Sequence, residues 1–437
     1  MREGSAVLVA QHFLPLNVVS AQRALRMARA LLKRYERLYV VSGDTSSMDE
    51  SFLDREYGRD VLADPRLVCL PVHAILKRYG YGTTGSPVQR LIGGVATRLF
   101  CGPGVDWIPG LRRALASVPA GERIRVAVAT GPPFVTFGTV VRWARARQVP
   151  VMLDYRDLWT GNPHARYPRV ARAAVRLLLE EPLNRRASVV TTVSDGCREM
   201  LEMRGRTKPV RVLYNSPDRE YLAHYRRLVD ECGPDVATSG EADGGSLRLV
   251  YTGQLYPGCT FAPLLQAMAG LPAHRQGLIS IHYYGGSSSL ARHECHRFGL
   301  SGRLVDHGKV SKDDALRAVI GADLLLSLIH TDRVSASPAV TGLMTTKLYD
   351  YLLSGNPILN IGPVNAEAVG FAARMRYRAF HTFTADDLDG LRNFLNLAVT
   401  DAAAMKTALV SVPLPDFEAD LNAILDDALA DRAGKRA

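Results

Sequence analysis

The chain has 437 residues, of which 47% are hydrophobic and 22% charged, so its composition is that of an ordinary globular protein. Its length exceeds what a single hydrophobic core normally supports, which predicts two domains. No stretch approaches the ~20 continuous apolar residues of a transmembrane helix. The short apolar run before His12 indicates a first buried strand rather than a signal peptide, so we expect the protein in the cytosol.

The formal net charge is +11, and it is unevenly distributed along the chain. Residues 1–230 hold 36 Lys and Arg against 21 Asp and Glu, a net charge of +15, whereas residues 231–437 have a net charge of −4. This asymmetry predicts an anionic partner for the first half of the chain. Because no basic motif gathers the charge, an anionic membrane surface or phosphorylated lipid is favoured and no nucleic-acid partner is expected.

The six cysteines are scattered and include no Cys-x-x-Cys pair, so neither a disulfide framework nor a zinc site is predicted. The segment HECH, at residues 293–296, contains potential metal ligands. No second ligand cluster follows at the spacing of a zinc finger. We therefore interpret the segment as a polar helix face and expect no metal.

Apolar runs that indicate strands alternate with amphipathic segments that indicate helices. The first pair is SAVLVAQHF and SAQRALRMARALLKRY, in which Ser20 is the predicted N-cap. Continuous apolar strands separated by helices predict a parallel sheet that is covered on both faces. After a stretch rich in Gly, Ser and acidic residues, the same alternation begins again with LRLVYTGQL.

These patterns predict an α/β fold with two tandem Rossmann-like, doubly wound domains and a cleft between them. The first domain is expected at residues 1–230 and the linker at 231–246. The second domain is expected at 247–415, followed by a C-terminal helix and tail at 416–437. In such sheets ligands bind beyond the carboxyl ends of the strands, so those positions contain the candidate site residues.

Three candidates follow predicted strands of the second domain. Gly253 ends the first of these strands in YTGQLYPG, and Gly285 ends the next in HYYGG. A glycine there lets the backbone approach a ligand, and the following helix would direct its N-terminus to a phosphate group. A glycine after a strand more often marks only a plain turn, which is the alternative for both. Lys309 follows a third strand in VDHGKV, where a solvated loop residue is the alternative.

The segment TTKLYDYLLSGNPIL places Lys347 and Asp350 three residues apart on a helix that ends at a Ser-Gly-Asn-Pro break. Two interpretations are open. The two side chains form an i, i+3 salt bridge on a solvated helix face, or they point into a cleft and hold a charged ligand.

Six candidates follow predicted strands of the first domain: His12, Arg23, Pro132, Phe134, Arg156 and Asp157. His12 and Arg23 belong to the loop and helix after the first strand, where a surface histidine is the commoner finding. Asp157 could orient an acceptor hydroxyl or accept its proton, and a structural Arg–Asp network is the alternative. The two prolines of AVATGPPF indicate either a pocket wall or only a rigid turn.

The stretch from residue 77 to 113 mixes basic side chains with Leu, Ile, Phe, Trp and Tyr in an irregular pattern. This composition is typical of a segment that lies at a membrane interface. A pair of helices packed on the sheet is the alternative.

Five segments occur in an order that identifies a family resemblance: RDLW, TTVSDGCREML, VLYNSPD, YTGQLYPG and KLYDYLLSGNPIL. Together they resemble a glycosyltransferase of the GT-B fold, close to glycosyltransferase family 4 and of the bacterial surface-polysaccharide type. The resemblance implies that the second domain binds a nucleotide-diphosphate sugar and the first binds an acceptor. It implies transfer to a lipid-linked or cell-surface glycan with retention of configuration, without metal or other cofactor.

The resemblance also suggests roles for single residues. Asp350 matches the acid that holds the ribose, and Gly253 matches the turn that faces the diphosphate. Gly342 stands where the family usually has a second acid. The stretch YPGCTFAP lacks the family's usual basic residue, which leaves the diphosphate to Lys347, Lys309 or Arg333.

The predicted donor site therefore comprises Gly253, Gly285, Lys309, Arg333, Lys347 and Asp350. The predicted acceptor site comprises Arg23, Pro132, Phe134 and Arg156, with Asp157, Lys347 and His12 as catalytic residues. The expected setting is cell-envelope polysaccharide biosynthesis, in the cytoplasm at the inner face of the cell membrane. A nucleotide-sugar epimerase of the same fold and a non-catalytic scaffold derived from the enzyme are the alternatives.

Overall fold

The computed structural model describes residues 3–16, 18–46, 53, 58–73, 87–163, 167–203, 209–238, 246–255, 258–331, 341–342, 344–401 and 412–434. The chain divides into two compact units. The first unit consists of residues 1–215 and 415–437, and the second of residues 216–414.

The first unit is built on a parallel sheet in which seven described strands have the order β3-β2-β1-β4-β5-β6-β7. This is a doubly wound order, in which the chain starts at the centre of the sheet and proceeds to each edge in turn. The strands are β1 Ser5–Ala10, β2 Arg37–Gly43, β3 Leu67–Val72, β4 Ile124–Gly131, β5 Val151–Tyr155, β6 Val189–Thr192 and β7 Val210–Val212.

Helices cover both faces of this sheet. They are α1 Val19–Arg34, α2 Arg59–Leu62, α3 Pro87–Leu99, α4 Ile108–Ala116, α5 Phe137–Ala146, α6 Arg169–Val175, α7 Glu181–Arg186, α8 Asp195–Glu202 and α17 Phe417–Gly434. A π-helical segment, Arg176–Glu180, joins α6 to α7. The three segments therefore form one continuous helix with one wider turn.

The C-terminal helix α17 is part of the first unit. Its apolar residues Phe417, Leu421 and Leu425 are buried in the same core cluster as the central strand β1 and helix α1. At the rim, the Lys33 ammonium donates to the Glu418 carboxylate at 2.7 Å. The sequence predicted this helix at 416–437 but gave no indication of the surface that it covers.

The predicted N-cap of α1 is wrong. The helix begins at Val19, and its N-cap is Val18, which has an extended backbone and no capping side chain. Ser20 lies inside the first turn, where its hydroxyl is 2.6 Å from Nδ1 of His12. The serine therefore orients a histidine at the end of β1 instead of capping the helix.

The second unit repeats the architecture with a parallel sheet whose six described strands have the order β10-β9-β8-β11-β12-β13. The strands are β8 Leu247–Thr252, β9 Ile279–Tyr284, β10 Leu304–Asp306, β11 Leu324–Leu328, β12 Ile358–Ile361 and β13 Phe380–Phe383. The helices are α9 Arg219–Thr238, α10 Ala262–Ala269, α11 Ala273–Gln276, α12 Ser289–Arg297, α13 Lys312–Ile320, α14 Lys347–Ser354, α15 Glu367–Arg374 and α16 Leu388–Asp401.

Helix α9 belongs to the second unit, although the sequence placed most of it in the first domain. Tyr221, Tyr225 and Leu228 of α9 form a buried cluster with Leu316 and Ile320 of α13. The change of unit therefore falls after residue 215 rather than at the predicted linker, 231–246. Residues 231–238 of that stretch are the end of α9, which is interrupted at Gly233 with a φ of 70°, and 239–245 lie outside the described residues.

The break after α14 has the predicted form. The helix ends at Ser354, and Gly355 has a left-handed φ of 73°, which is the usual helix C-cap. The Asn356 side chain donates to the carbonyls of Val319 and Ile320 at the end of α13. These hydrogen bonds fix α14 against α13 and hold its first turn at the carboxyl ends of the strands.

None of the described helices is long and apolar enough to cross a bilayer.

Candidate functional site

The central feature of the second unit is the ammonium of Lys347, at the start of α14. Nζ lies 3.6 Å from the centroid of the Tyr251 ring. Tyr251 is the penultimate residue of strand β8, two residues before Gly253. A β-carbon on Gly253 would lie 3.5 Å from the same Nζ. The structure therefore places this cation against the glycine turn at the carboxyl end of β8, as expected of a charged-ligand site.

Burial lowers the pKa of Lys347 to about 7, because desolvation penalises its charged form, and the nearby Cys259 opposes this effect. The face of the Tyr251 ring supplies a cation–π contact that compensates part of the desolvation. A lysine near its titration point at neutral pH gains a full charge when an anion binds beside it. The group is thus suited to bind a phosphate and release it again.

Helix α14 is fixed to β8 through Tyr351, which lies on the same helix face as Lys347, one turn later. The buried Tyr351 hydroxyl accepts a hydrogen bond from the Thr252 amide at 3.0 Å. This hydrogen bond joins the helix to the residue that precedes Gly253. The position of the lysine is therefore set by the packing of a rigid helix on a strand.

Asp350 points to a different neighbour, so the i, i+3 salt bridge with Lys347 is not the ion pair that forms. Its Oδ2 accepts from the Lys312 ammonium at 2.6 Å, and its Oδ1 accepts from the Tyr221 hydroxyl. The carboxylate is 9% exposed. Each carboxylate oxygen has a second acceptor position, so Asp350 can still bind a diol while these partners orient it.

Two glycines bring backbone together at the predicted donor site. Gly253 has a φ of 110°, a region that L-residues rarely adopt. Its amide donates to the Tyr284 carbonyl at 2.8 Å, which joins the ends of β8 and β9. A β-carbon on Gly285 would lie only 2.4 Å from the Gly253 carbonyl oxygen. The close approach therefore requires glycine at position 285, and the positive φ favours glycine at position 253.

We predict that Gly253→Ala weakens nucleotide-diphosphate binding at least tenfold. The methyl group would occupy the space beside the Lys347 ammonium, and the positive φ adds roughly 1–2 kcal/mol of strain. Isothermal titration calorimetry checks the affinity. Gly299→Ala is the matched control, because Gly299 also has a positive φ, 71°, and a β-carbon there meets nothing within 4 Å. Equal affinity for the two variants would contradict the assignment of Gly253.

The helix after Gly253 does not offer a free N-terminus. The amide of Phe261, which precedes α10, donates to Oε2 of Glu294 at 2.8 Å, and the Thr260 amide donates to the Thr331 hydroxyl. Glu294 is the acid of the HECH segment, and it is buried beside Cys295. The predicted polar face is therefore partly wrong, because these two side chains point inward. In the described part of the chain, no group of three or more His, Cys, Asp and Glu side chains is arranged to hold a metal ion.

The end of β11 adds residues that sequence reasoning missed. The amide of His330 donates to the Cys259 thiol at 3.2 Å, and both residues are buried. His330 has a left-handed φ of 47°, which is uncommon for a residue with a side chain. A histidine directly after an apolar strand, DLLLSLIH, was the available signal.

The remaining predicted donor residues have different positions. Lys309 is an exposed residue of the loop after β10, next to Gly308, which has a φ of 66°. Gly342, at the position of the family's second acid, is buried. Arg333 lies outside the described residues, so its role stays a prediction.

In the first unit, Arg23 is a structural residue. Its guanidinium forms a bidentate ion pair with the fully buried Asp154, with N–O distances of 2.9 and 2.6 Å. It also donates to the Leu213 carbonyl and the Asn215 side chain. Since the guanidinium is used in this way and only 2% of the residue is exposed, we infer that Arg23 is not an acceptor-binding residue.

Burial alone would raise the pKa of Asp154, but the charge of Arg23 and hydrogen bonds from Arg23, Thr130 and Thr191 hold it below its ordinary value. The two threonine hydroxyls donate to Oδ2 and Oδ1 at 2.7 and 2.8 Å. Strands β4, β5 and β6 each supply one of these side chains. The network therefore connects three strands with α1 beneath the candidate acceptor site.

Arg156 and Pro132 form one brace. The Arg156 guanidinium donates to the carbonyls of Gly131, Pro132 and Ser20, at 3.1, 2.9 and 3.0 Å. The Gly131–Pro132 bond is cis. Arg156 therefore positions the turn after β4 and the start of α1, and its role in acceptor binding stays a prediction.

Phe134 is buried in an aromatic cluster. Its ring stacks on those of Tyr155 and Trp159, with centroids 5.2 and 5.7 Å away, and meets Phe137 edge to face. Rings in these arrangements stabilise a core beyond their burial alone. We infer that Phe134 supports the turn after β4 rather than forming an acceptor surface.

His12 and Asp157 are the candidates at this edge that keep a chemical role. The pKa of His12 is lowered to about 4 by burial and by the nearby charge of Arg156, so its ring is neutral at pH 7. Asp157 is half-buried directly after the Arg156 brace. Both follow strands at the carboxyl edge of the sheet, where a ligand of the first unit is expected.

Comparison with known proteins adds to this geometry. Residues 20–216 match a family model described as a glycosyl transferase 4-like domain. No curated protein sequence matches the chain. The matched segment begins in α1 and ends at the boundary of the first unit, so it contains strands β2 to β7 with Arg156 and Asp157, whereas β1 and His12 precede it.

Solved structures resemble the chain over its whole length. Sucrose-phosphate synthase from Thermosynechococcus elongatus has a TM-score of 0.61 at 14% identity, over 99% of this chain and 98% of that one. The Anabaena HepE protein in complex with UDP-glucose has a TM-score of 0.59 at 14% identity, over 99% and 100%. An α,α-trehalose 6-phosphate synthase from Burkholderia multivorans has 0.59 at 11%, over 100% and 96%.

The two parallel sheets, of seven and six described strands, are the two Rossmann-like domains of the GT-B fold that these structures share. The match to the family model covers the first of them. The chain therefore has the GT-B fold, and its residues 20–216 are similar to a glycosyl transferase 4-like domain.

Proposed function

We propose that the chain transfers a sugar from a nucleotide-diphosphate sugar to a hydroxyl group of a lipid-linked or cell-surface glycan. The observation that carries the proposal is the Lys347 ammonium, which lies against the glycine turn that ends β8. A cation fixed there would bind the diphosphate and stabilise it as the leaving group. The bound UDP-glucose of the Anabaena structure supports a nucleotide sugar as donor.

The ribose is assigned to Asp350. A carboxylate accepts two hydrogen bonds from a vicinal diol, and this one is fixed by Tyr221 and Lys312. Lys312 is the more exposed member of the ion pair, with 33% of its side chain accessible, so it can move aside when a donor enters. The exposed Lys309 is assigned as an additional charge for the diphosphate.

In the reaction, the bond from the anomeric carbon to the diphosphate breaks and a bond to the acceptor oxygen forms. The acceptor proton passes to a base, for which we assign Asp157. His12 is a poor base at neutral pH because its pKa is about 4, so we assign it to positioning the acceptor. We further propose retention of configuration, charge neutralisation by side chains without a metal, and action in the cytoplasm at an anionic membrane face.

The direct experiment measures which nucleoside diphosphate raises the melting temperature, and then which sugar donor is consumed. A ligand at a hundred times its dissociation constant stabilises its protein by roughly 2.7 kcal/mol. We expect one of UDP, GDP and dTDP to stabilise the protein and its sugar derivative to be transferred or slowly hydrolysed. Failure of all three to bind or turn over would overturn the proposal. If the sugar of the donor is epimerised in the absence of an acceptor, the result would instead support a nucleotide-sugar epimerase.

A further inference from the structure

Helix α3 turns its large apolar side chains toward solvent. Val88, Leu91, Ile92, Val95 and Leu99 recur at helical spacing, and they are 64, 69, 53, 48 and 58% exposed. A surface helix normally buries such a stripe and exposes its polar face. In α3 the inward-facing position is held by a small residue, the buried Gly93. The helix therefore packs on the protein by its narrow face and presents its apolar stripe outward.

The apolar stripe of α3 continues onto neighbouring elements. Val170 of α6 is 82% exposed, and Leu177 and Leu178 of the π-helical segment are 50 and 73% exposed. Phe100 and Leu178 also line an apolar pocket of about 530 Å³ that opens between α3, α5 and α7. We call this surface, from α3 to the π-helical segment, the apolar face. Contiguous exposure of this kind is rare on soluble proteins and marks a binding surface.

Basic side chains stand at the edge of the apolar face. Arg142, Arg145 and Arg186 line the rim of the pocket. Helices α3, α5 and α6 contain no acidic residue, and the two acids of the joining segments, Glu180 and Glu181, are buried. The first unit as a whole has a net charge of +12 and the second a net charge of −1. The surface is therefore apolar in the middle and basic at the edge.

We propose that the apolar face docks the first unit on an anionic phospholipid bilayer, with the leucines of α3 and the π-helical segment inserted and the arginines on the headgroups. Apolar burial and attraction to anionic lipid act together in such interfacial contacts. This inference rests on the proposed function, which includes a lipid-linked acceptor, and it names the surface that docks at the membrane. A protein partner would require acidic side chains to match the arginine rim, whereas a bilayer of phosphatidylglycerol supplies both features at once.

The test is flotation of the full chain with phosphatidylglycerol vesicles and with phosphatidylcholine vesicles. We expect binding to the former only, weakening as salt rises from ~0.05 to ~0.5 M. Leu91→Ser with Leu178→Ser should lower the partition coefficient at least ~10-fold. Val364→Ser with Leu397→Ser is the matched control, because these residues of the second unit are 61 and 55% exposed.

Three outcomes would overturn the inference. The first is equal vesicle binding by the two double variants, and the second is salt-independent binding to phosphatidylcholine. The third is that the chain binds no vesicles but forms a dimer, which dissociates when Leu91 and Leu178 are both changed to serine. Fluorescence of the tryptophans, which are all in the first unit, reports whether the variants fold. Nucleoside-diphosphate melting shifts are measured on the same proteins. If the unmodified chain shows the melting shift but binds no vesicles, only this inference is contradicted; if it binds vesicles but shows no melting shift, only the proposed function is contradicted.

Discussion

Lys347→Met is expected to slow sugar transfer severely while stabilising the fold. Removal of one charge that stabilises a leaving group costs roughly 10²–10³ in rate. The same lysine opposes folding, because its pKa falls from an ordinary value near 10.5 to about 7 in the folded protein. At neutral pH the free energy of unfolding should therefore rise by roughly 2 kcal/mol in the variant, after allowance for the lost contact with Tyr251.

The sign of the pH dependence follows from the lowered pKa. When Lys347 is protonated in the unfolded chain, folding must either remove that proton or bury the charge. The free-energy cost of folding that results is therefore at its full value below pH 7. It decreases as pH rises and disappears above about pH 10.5. Differential scanning calorimetry should show the largest gain for Lys347→Met at acid pH. Lys33→Met, a surface change in α1, is the control for loss of a lysine; a gain there of the same size would contradict the account.

Asp154→Asn is expected to destabilise the first unit by about 3–5 kcal/mol, because it leaves the buried Arg23 without its counter-charge. All three tryptophans are in this unit, so their fluorescence during urea unfolding isolates its transition. The folded-state pKa of Asp154 is lowered, so its contribution is complete above the unfolded pKa of ~3.9 and is lost as pH falls below it. The difference from the variant should therefore close in acid.

Asp60→Asn is the matched control for this prediction. Asp60 pairs with Arg29, which belongs to α1 as Arg23 does, but the Asp60 side chain is 56% exposed. An exposed ion pair contributes at most ~1 kcal/mol, so this change should have little effect. The double change Arg23→Met with Asp154→Leu should recover much of the lost stability, since it removes both charges together. Similar losses for Asp60→Asn and Asp154→Asn would show that burial of the network is not what matters.

The fold could be predicted from the sequence because its signals are local. Each buried strand is a continuous apolar run, and each run is followed by a helix, so the parallel sheets follow from alternation alone. The assignment of α9 could not be predicted in this way. The helix has an apolar face that could pack on a sheet of either unit. The residues that this face covers, Leu316 and Ile320, lie about ninety residues later in the chain.

The donor site was predicted in part for the same reason. Position at a strand end is readable from sequence, and it identified Gly253, whereas Lys347 was assigned to the same site by the family resemblance. The partners of Asp350 were not readable, because Tyr221 and Lys312 come from two other helices, 129 and 38 residues away. Local charge spacing favoured a pair with Lys347 that does not form.

The first unit shows the opposite error. Arg23 follows a strand end and has the chemistry of a ligand-binding residue, yet it points beneath the site to Asp154, 131 residues later. Arg156 and Phe134 likewise support the loops that a ligand would contact. In each case the sequence could not distinguish a side chain that faces the carboxyl edge of the sheet from one that supports the loops there.

The central claim is that Lys347 binds the diphosphate of a nucleotide donor. Calorimetric titration at about pH 8, in two buffers of different ionisation enthalpy, measures it most directly with the nucleoside diphosphate that gives the largest melting shift. Because the free lysine has a pKa of about 7 and the bound one is raised, the protein should take up close to one proton, and Lys347→Met should take up none. Equal proton uptake by the two proteins, with equal affinity, would contradict the claim.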